Sequence, residues 1–494
     1  MTDLALFDSL LSASTHPDPA FPRFHPRPAQ GWINDPNGIS YINGRYHVFF
    51  QYNPESARHS QIQWGHVSSA DLVHWEEHPV ALSPQAGGPD SAGCWTGVVA
   101  SDGGVPTAAY SGVRDHGGHS QVVIARGSSD LVTWEQDGHV AASMPSDPLV
   151  TAVRDPFLFR FNGARYAIQG AGLADGRAAL LLYTVEDMND WKYQGIWFTS
   201  ADPVAAVHTP AEIWECPQLV EVPASGASSG SAWVMMFSLW LSGDDHEHAN
   251  GVGHLIGSLS SDPATGLPVF VPSSGGKSDL GRDFYAPQIV QLTYGSADSS
   301  PAALLWGWAN EGPGRDGRRG RTQEEIDDAG WAGVLTHPRV LSLVDGALAV
   351  SPAPEVLAYR GAAVAAGAAL DADAAVVAGA AGSVVVPAFA EVLVRGGAVP
   401  AGAVPSSGVS SGDVELVLAS SADGDSVGNR QVVYSGSLAP GEELRIFIDA
   451  SLVEVYRTGS VATTLRAYPA AGEEWQLTLP DGATADVWEL KLPE

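Results

Sequence analysis

Short runs of β-branched and aromatic residues, each broken within a few positions by Gly, Pro, Asn or Asp, dominate this chain. Ile39–Tyr41, Tyr46–Gln51, Phe157–Phe161 and Tyr166–Gln169 are such runs, and they predict strands. Asn43-Gly44 separates the first pair and Asn162-Gly163 the second, the strongest short-range signal for a hairpin. No long amphipathic helical period appears; one short helix is expected in residues 3–12.

The pattern recurs. Asp71-Leu72-Val73-His74-Trp75 is repeated as Asp130-Leu131-Val132-Thr133-Trp134 and more weakly as Asp187-Met188-Asn189-Asp190-Trp191, with the tryptophans 59 and 57 residues apart. A unit of about 60 residues with frequent turns is the size of one four-stranded propeller blade with generous loops. Stepping by 60 from Asp35 reaches Trp95, Asp155 and Glu215, and a step of 70 then reaches Tyr285. That predicts five blades, with four or six left open by spacing alone. Beyond Val344-Asp345-Gly346 the repeat gives way to Ser351-Pro352-Ala353-Pro354, an Ala/Gly-rich tract and short alternating runs such as Leu444–Ile448 and Leu452–Tyr456, which suggest a β-sandwich. The expected organisation is all-β: an N-terminal arm over 1–24, a propeller over 25–345 and a sandwich over 346–494.

Composition narrows the partners. The 494 residues allow two or three domains. With 25 basic against 56 acidic residues the net charge is −31, which argues against nucleic acid or anionic lipid as a partner. No apolar run is long enough to span a bilayer. Two cysteines, Cys94 and Cys216, cannot build a disulfide framework or a thiolate cluster. The residues from Met1 to Phe7 lack the basic start and apolar run of a secretory signal, so the expectation is a cytoplasmic protein; its oligomeric state is left open.

The chemistry sits in the phase of the repeat. The first strand of each propeller blade lines the central axis, so Asp35, Asp155 and Glu215 are expected to converge. Each has a local alternative: Asp35-Pro36-Asn37-Gly38 suits a type I turn, Arg154-Asp155 a surface ion pair, and Glu215 a solvated strand end. Converging carboxylates repel, and a poorly solvated one keeps its proton near neutrality. Ile213, Trp214, Cys216 and Pro217 are expected to raise the pKa of Glu215, making it the acid, while Asn34, Asn37 and backbone amides favour the Asp35 anion as nucleophile. Opposed carboxyls in a Trp-rich pocket match glycoside cleavage. Calcium is the rival, but no Asp-x-Asp-x-Asp-Gly loop or His-x-x-x-His pair occurs; neither metal nor cofactor is expected.

Trp32-Ile33-Asn34-Asp35-Pro36-Asn37-Gly38, Phe50-Gln51-Tyr52-Asn53-Pro54, Trp64-Gly65-His66, Arg154-Asp155-Pro156, Glu215-Cys216-Pro217 and Asp283-Phe284-Tyr285-Ala286 resemble, in order, the motifs of glycoside hydrolase family 32, the invertases, β-fructofuranosidases, inulinases and levanases. The likeness continues through Ile446–Tyr456 and Arg466-Ala467-Tyr468-Pro469. It implies a five-bladed β-propeller followed by a β-sandwich, and retaining, exo-acting removal of a terminal fructosyl unit from sucrose or short fructo-oligosaccharides. By resemblance Asp35 attacks the anomeric carbon, Glu215 is the acid and base, and Asp155 holds ring hydroxyls; Asn34, Gln51, Trp64, Arg154 and Tyr285 shape the fructose pocket. Where relatives commonly have Phe-Ser-Gly, this chain has Trp95-Thr96-Gly97, which keeps a hydroxyl at Thr96 and enlarges the rim at Trp95.

Other features have two readings. Trp240, Trp308 and Trp331 are candidates for sugar stacking or for blade core, with Trp308 the best pocket candidate. Asp244-Asp245-His246-Glu247-His248 reads as a polar loop rather than a metal site. Arg315, Arg318, Arg319 and Arg321 read as a solvated loop pairing with the acids that follow, or as a clamp for a phosphorylated sucrose. Cys216 is expected to be buried filler rather than a nucleophile. An inulinase or levanase, a sucrose-6-phosphate hydrolase, a fructosyltransferase and a non-catalytic fructan-binding protein are the alternative functions.

Overall fold

The computed structural model describes residues 16–115, 119–225, 230–243, 250–292, 302–311, 315–369, 383–397, 413–420 and 430–493. The helix expected in residues 3–12 and the run Asp244–His248 lie outside them. Alternating runs pair as antiparallel strands in five successive groups. The first group is Gly31–Ile42, Arg45–Asn53, Gln63–Ser69 and Trp75–Leu82. The second is Gly93–Asp102, Val105–Val113 and Gln121–Gly127, edged by Trp134–Glu135 and Val140–Ala142. Val150–Phe161 opens the third, Ile213–Ser225 the fourth and Phe284–Leu292 the fifth. These five opening strands touch one another in cyclic order, the fifth returning to the first, which is the central ring of a five-bladed propeller. Trp331–Ala332 returns to run parallel beside Gly31 and Trp32.

Each Asp-Leu-Val-x-Trp copy is the turn into a blade's outermost strand. Asp71 accepts from the Val73 and His74 amides, and Leu72 and Leu131 adopt positive φ, 64° and 60°. The Trp134 and Trp191 indoles close the turn by donating to Leu131 and Met188 carbonyls. The turn at Asp345-Gly346, where composition marks a change of domain, is the tip of the hairpin Arg339–Val344 with Ala347–Pro352, which continues the fifth blade. Beyond it come a six-stranded and a four-stranded sheet, whose alternate residues, among them Val392, Val394, Leu416, Ile446, Ile448 and Leu477, form one buried core. This is the sandwich. Among the described residues no helix is long and apolar enough to cross a membrane.

The arginine-rich segment is not a solvated loop. Arg315 and Arg318 are buried and both bond Asp283; burial would raise the Asp283 pKa, but the two guanidiniums hold it below the usual carboxylate range. Arg318 also donates to the Arg466 carbonyl of the sandwich at 2.5 Å, Arg319 pairs with Glu473, and Arg321 reaches Glu311 and Asp18. Local pairing with Glu324, Glu325 and Asp328 is therefore replaced by contacts that span propeller, sandwich and N-terminal segment. Trp331, one of the stacking candidates, is fully buried among Arg27, Arg321 and Arg466 and donates to Asp18 at 2.8 Å. Removing one partner of a buried ionic cluster leaves the others uncompensated. Asp283→Ala is expected to cost about 3–5 kcal/mol, read as a lower urea midpoint with an unchanged m-value.

Candidate active site

The opening strand of every blade carries the same irregularity: two residues stand opposite one on its partner strand. The pairs are Asn34/Asp35, Trp95/Thr96, Asp155/Pro156, Cys216/Pro217 and Ala286/Pro287. Such β-bulges re-aim side chains, and a proline at an unpaired position gives up no ladder bond. Asp155, Cys216 and Ala286 take positive φ of 60°, 47° and 49°, and the bulges bring their side chains to the common axis. This corrects the expected phase. The acids are not at one register: Asp35 is the second bulge residue, Asp155 the first, and Glu215 the residue before a bulge. Asp35-Pro36-Asn37-Gly38 is accordingly mid-strand rather than a turn.

The three carboxyls nevertheless gather around Cys216. Its Sγ lies 3.5 Å from Asp35 Oδ2 and 3.7 Å from Asp155 Oδ2, and its backbone N–H donates to Asp155 Oδ2 at 2.9 Å. Thr96 Oγ1 donates to Asp35 Oδ2 at 2.5 Å, Gln51 Nε2 to the same oxygen at 3.1 Å, and Asn34 Nδ2 to Oδ1 at 3.1 Å. Asn34 is itself oriented by the Trp32 indole N–H at 2.8 Å. Arg154 Nε donates to Glu215 Oε1 at 2.7 Å and the Tyr285 hydroxyl to Oε2 at 2.6 Å. Neighbouring blades brace the bulges, the Asp155 amide donating to Ser111 Oγ and the Ala286 amide to Ser238 Oγ.

Burial pushes the Asp35 pKa up to about 6; the Thr96 and Asn34 bonds oppose it and the Glu215 charge adds to it. Burial and the Glu215 charge also raise Asp155, against the pull of Arg154. The expected surroundings are corrected on both counts. Asp35 is not held as a low-pKa anion by its polar neighbours, and Glu215 meets the Arg154 guanidinium and the Tyr285 hydroxyl rather than an apolar wall. Nor is Arg154-Asp155 a surface ion pair, since Arg154 is buried and reaches across to Glu215. Burial and the three surrounding carboxylates push the Cys216 thiol up, which suits filler and not a thiolate nucleophile.

Two aromatic expectations change. Trp64 is fully buried and its indole donates to the Trp95 carbonyl at 3.1 Å, so it supports the strand carrying Trp95 and Thr96 from below. Trp308 is 2% exposed and packs with Cys216, Tyr285 and Ala286 behind the acids. Trp32 and Trp95 are partly exposed instead, while Trp240 is partly exposed at the end of Gly230–Trp240. Ser111, Ser238 and the Cys216 amide were not foreseen; the repeated X-Pro doublets at 155–156, 216–217 and 286–287 were the available signal. Among the described residues no cluster of His, Cys, Asp and Glu suits a metal.

Comparison with known proteins follows the same layout. The family model "Glycosyl hydrolases family 32 N-terminal domain" matches residues 25–352, and "Glycosyl hydrolases family 32 C terminal" matches 410–491. A sucrose-6-phosphate hydrolase of Zymomonas mobilis is 31% identical over 356 residues, which cover 69% of this chain and 63% of that protein. A raffinose invertase of Escherichia coli is 30% identical over 348 residues, 69% of this chain and 66% of the relative. The chain thus spans a little under two thirds of the length of such relatives. In fold it is similar to a Bombyx mori GH32 beta-fructofuranosidase, with a TM-score of 0.73 at 23% identity over 98% of this chain and 97% of that one. The five bulged strands, the sandwich behind them and the match across most of the sequence have one reading: the chain belongs to glycosyl hydrolases family 32.

Proposed function

We propose that the protein is a retaining, exo-acting β-fructofuranosidase that hydrolyses sucrose and short fructo-oligosaccharides. The observation that carries this reading is the approach of Asp35 and Asp155 to within 3.5 Å and 3.7 Å of one sulfur atom, on the residue next to Glu215. Three carboxyls so close cannot all ionise cheaply. A shared proton among them supplies the acid and the base that glycoside cleavage needs.

Asp35 attacks C2 of the fructosyl unit. Asn34, Gln51 and Thr96, together with the Cys216 thiol, donate to its two oxygens and fix its direction, and the anion is the reactive form. Glu215, with 15% of its side chain exposed, is more open than Asp155 at 4%, so it is the carboxyl able to reach a leaving oxygen and then a water. Tyr285 and Arg154 hold it in place. Asp155, at the bottom, holds ring hydroxyls as positive charge develops on the ketose. Retention requires the nucleophile and acid to stand about 5–5.5 Å apart, leaving no room for a water between them.

Two relatives are named as sucrose-6-phosphate hydrolase and raffinose invertase. Unphosphorylated sucrose is the preferred substrate in this reading, because Arg315, Arg318, Arg319 and Arg321, weighed as a phosphate clamp, are engaged with Asp283, Glu473 and Glu311.

Release of glucose from sucrose by the purified chain tests the reading, and stoichiometric binding without turnover would sink it. Asp35→Ala is expected to lower kcat by roughly three orders of magnitude or more, with near-normal activity the refuting outcome. Glu215→Ala should lose most activity on sucrose but much less on an aryl fructoside whose leaving group needs no proton; equal damage on both would remove Glu215 as the acid. The Asp35 anion is reactive and its pKa lies at about 6, so activity should fall as pH drops through that value. Thr96→Ala removes a bond that favours the anion and should move this acid limb upward by about one pH unit, measured from the pH dependence of kcat/KM.

A further inference from the structure

Asp90 carries a carboxyl that solvent does not reach and that the proposed chemistry does not use; the residue is 1% exposed. It lies in the connection between the outermost strand of the first blade, Trp75–Leu82, and the opening strand of the second, Gly93–Asp102. Its Oδ2 accepts from the Tyr110 hydroxyl at 2.7 Å, from Gln136 Nε2 at 3.2 Å and from the Cys94 thiol at 3.6 Å, and its Oδ1 accepts from the Gln85 amide at 3.1 Å. The Asp90 carbonyl accepts from the Gly93 amide at 2.9 Å. Gln136 is tied in turn to the backbone of Ser83, accepting from its amide and donating to its carbonyl. These donors are uncharged groups, and burial pushes both the Cys94 thiol and the Tyr110 phenol up.

The partners of Oδ2 stand on both sides of one bulge. Trp95 and Thr96 are the two residues between the registered pairs Cys94–Gly112 and Gly97–Tyr110. Cys94 precedes the bulge, and Tyr110 faces the position that follows it, so a single carboxylate oxygen spans the irregularity. Gly97 allows the two strands to close up there: a Cβ on it would meet the Ala109 carbonyl and lie 2.5 Å from Tyr110 Cα. The Tyr110 ring also packs against Trp64, 5.9 Å away at 62°, and the Trp64 indole donates to the Trp95 carbonyl. What the bulge delivers is Thr96 Oγ1, which accepts from Gln51 Nε2 at 2.7 Å and donates to Asp35 Oδ2.

We infer that Asp90 is a positioning residue for the proposed reaction: by fixing Cys94 and Tyr110 it sets the bulge that aims the Thr96 hydroxyl at the nucleophile Asp35. Apolar side chains would hold two strands together without desolvating a carboxyl. A fully bonded buried carboxyl adds direction, because each donor must keep its angle as well as its distance. At the third and fifth blades a serine hydroxyl from the preceding blade accepts from a bulge amide; at the second, Asp90 holds the bulge from the connection that leads into it. This inference rests on the proposed hydrolysis of fructosides with Asp35 as the attacking group.

The test is the pH dependence of kcat/KM on sucrose for Asp90→Asn, made alone and on top of Thr96→Ala. The asparagine amide places an N–H among groups that are themselves donors. Alone, it is expected to lower kcat about tenfold and to move the acid limb upward by about half a pH unit, the direction that follows from weakening a bond that favours the Asp35 anion. On top of Thr96→Ala it should leave the acid limb where Thr96→Ala alone puts it. Glu215, Asp155 and Cys216, which also face Asp35, are untouched in every variant. Tyr110→Phe, which keeps the ring and removes only the hydroxyl, is the companion variant if Asp90→Asn does not fold; a smaller upward move that again vanishes without the Thr96 hydroxyl is expected. An acid limb unmoved in both variants, even with a lower Tm, would reduce Asp90 to a structural role. A downward move, the signature of a charge removed at a distance, or an upward move that persists in full without the Thr96 hydroxyl, would equally overturn the inference. A parent protein that does not turn over sucrose would instead remove the proposed function itself.

Discussion

Mutual repulsion of three crowded carboxyl groups, Asp155 buried and Asp35 and Glu215 partly exposed, is the constraint around which the molecule is arranged. A lone carboxylate can be solvated at a surface, but Asp35, Asp155 and Glu215 share a space in which one thiol stands between two of them. Each has a different remedy. Asp35 is surrounded by neutral donors from three strands, Glu215 takes a guanidinium and a phenol, and Asp155 takes a backbone amide. The remedies are unequal, and burial raises the pKa of Asp35 and of Asp155 in spite of them. That inequality is the chemical resource of the site.

Holding such a cluster together costs stability, which the surroundings must supply. Two of the five bulges, at Asp155 and Ala286, are braced from adjacent blades by Ser111 and Ser238, and the ring of blades prevents the strands from spreading apart. Behind the fifth blade, Asp279, Asp283, Glu311 and Glu454 meet Arg315, Arg318, Arg321, Arg339 and Arg466 with almost no solvent between them. His25 enters the same layer from the N-terminal segment, bonding Asp449 at 2.6 Å and Glu454 at 3.0 Å. Burial alone would lower its pKa, but those two carboxylates raise it above the ordinary imidazole range. The sandwich is thereby bonded to the propeller through charge pairs that neither domain could leave buried by itself.

Period and turn chemistry were legible along the chain. Asn-Gly hairpins, the Asp-capped turns before Trp75, Trp134 and Trp191, and a repeat of about 60 residues follow from local sterics and hydrogen bonding, which depend on residues close in sequence. They were enough to indicate blades, a ring and a common destination for Asp35, Asp155 and Glu215. The register was not legible, because a bulge shifts side chains by one position without changing residue spacing noticeably, so acids at three different registers looked equivalent.

Partnerships between distant residues were decided only by the fold. Arg315 and Arg318 stand close to Glu324 and Glu325 in sequence, yet folding delivers them to Asp283 and to the sandwich. Apolar neighbours of Glu215 pointed to a desolvated acid, whereas the adjacent blade supplies Arg154. Trp64 and Trp308 carry the chemistry of sugar-stacking residues, but burial turns them into supports, while Trp32 and Trp95 are the indoles left partly exposed. Composition and local pattern determine which strands form, because those energies are short-ranged; electrostatic pairing and exposure depend on what the tertiary structure brings alongside, and no window of sequence contains that information.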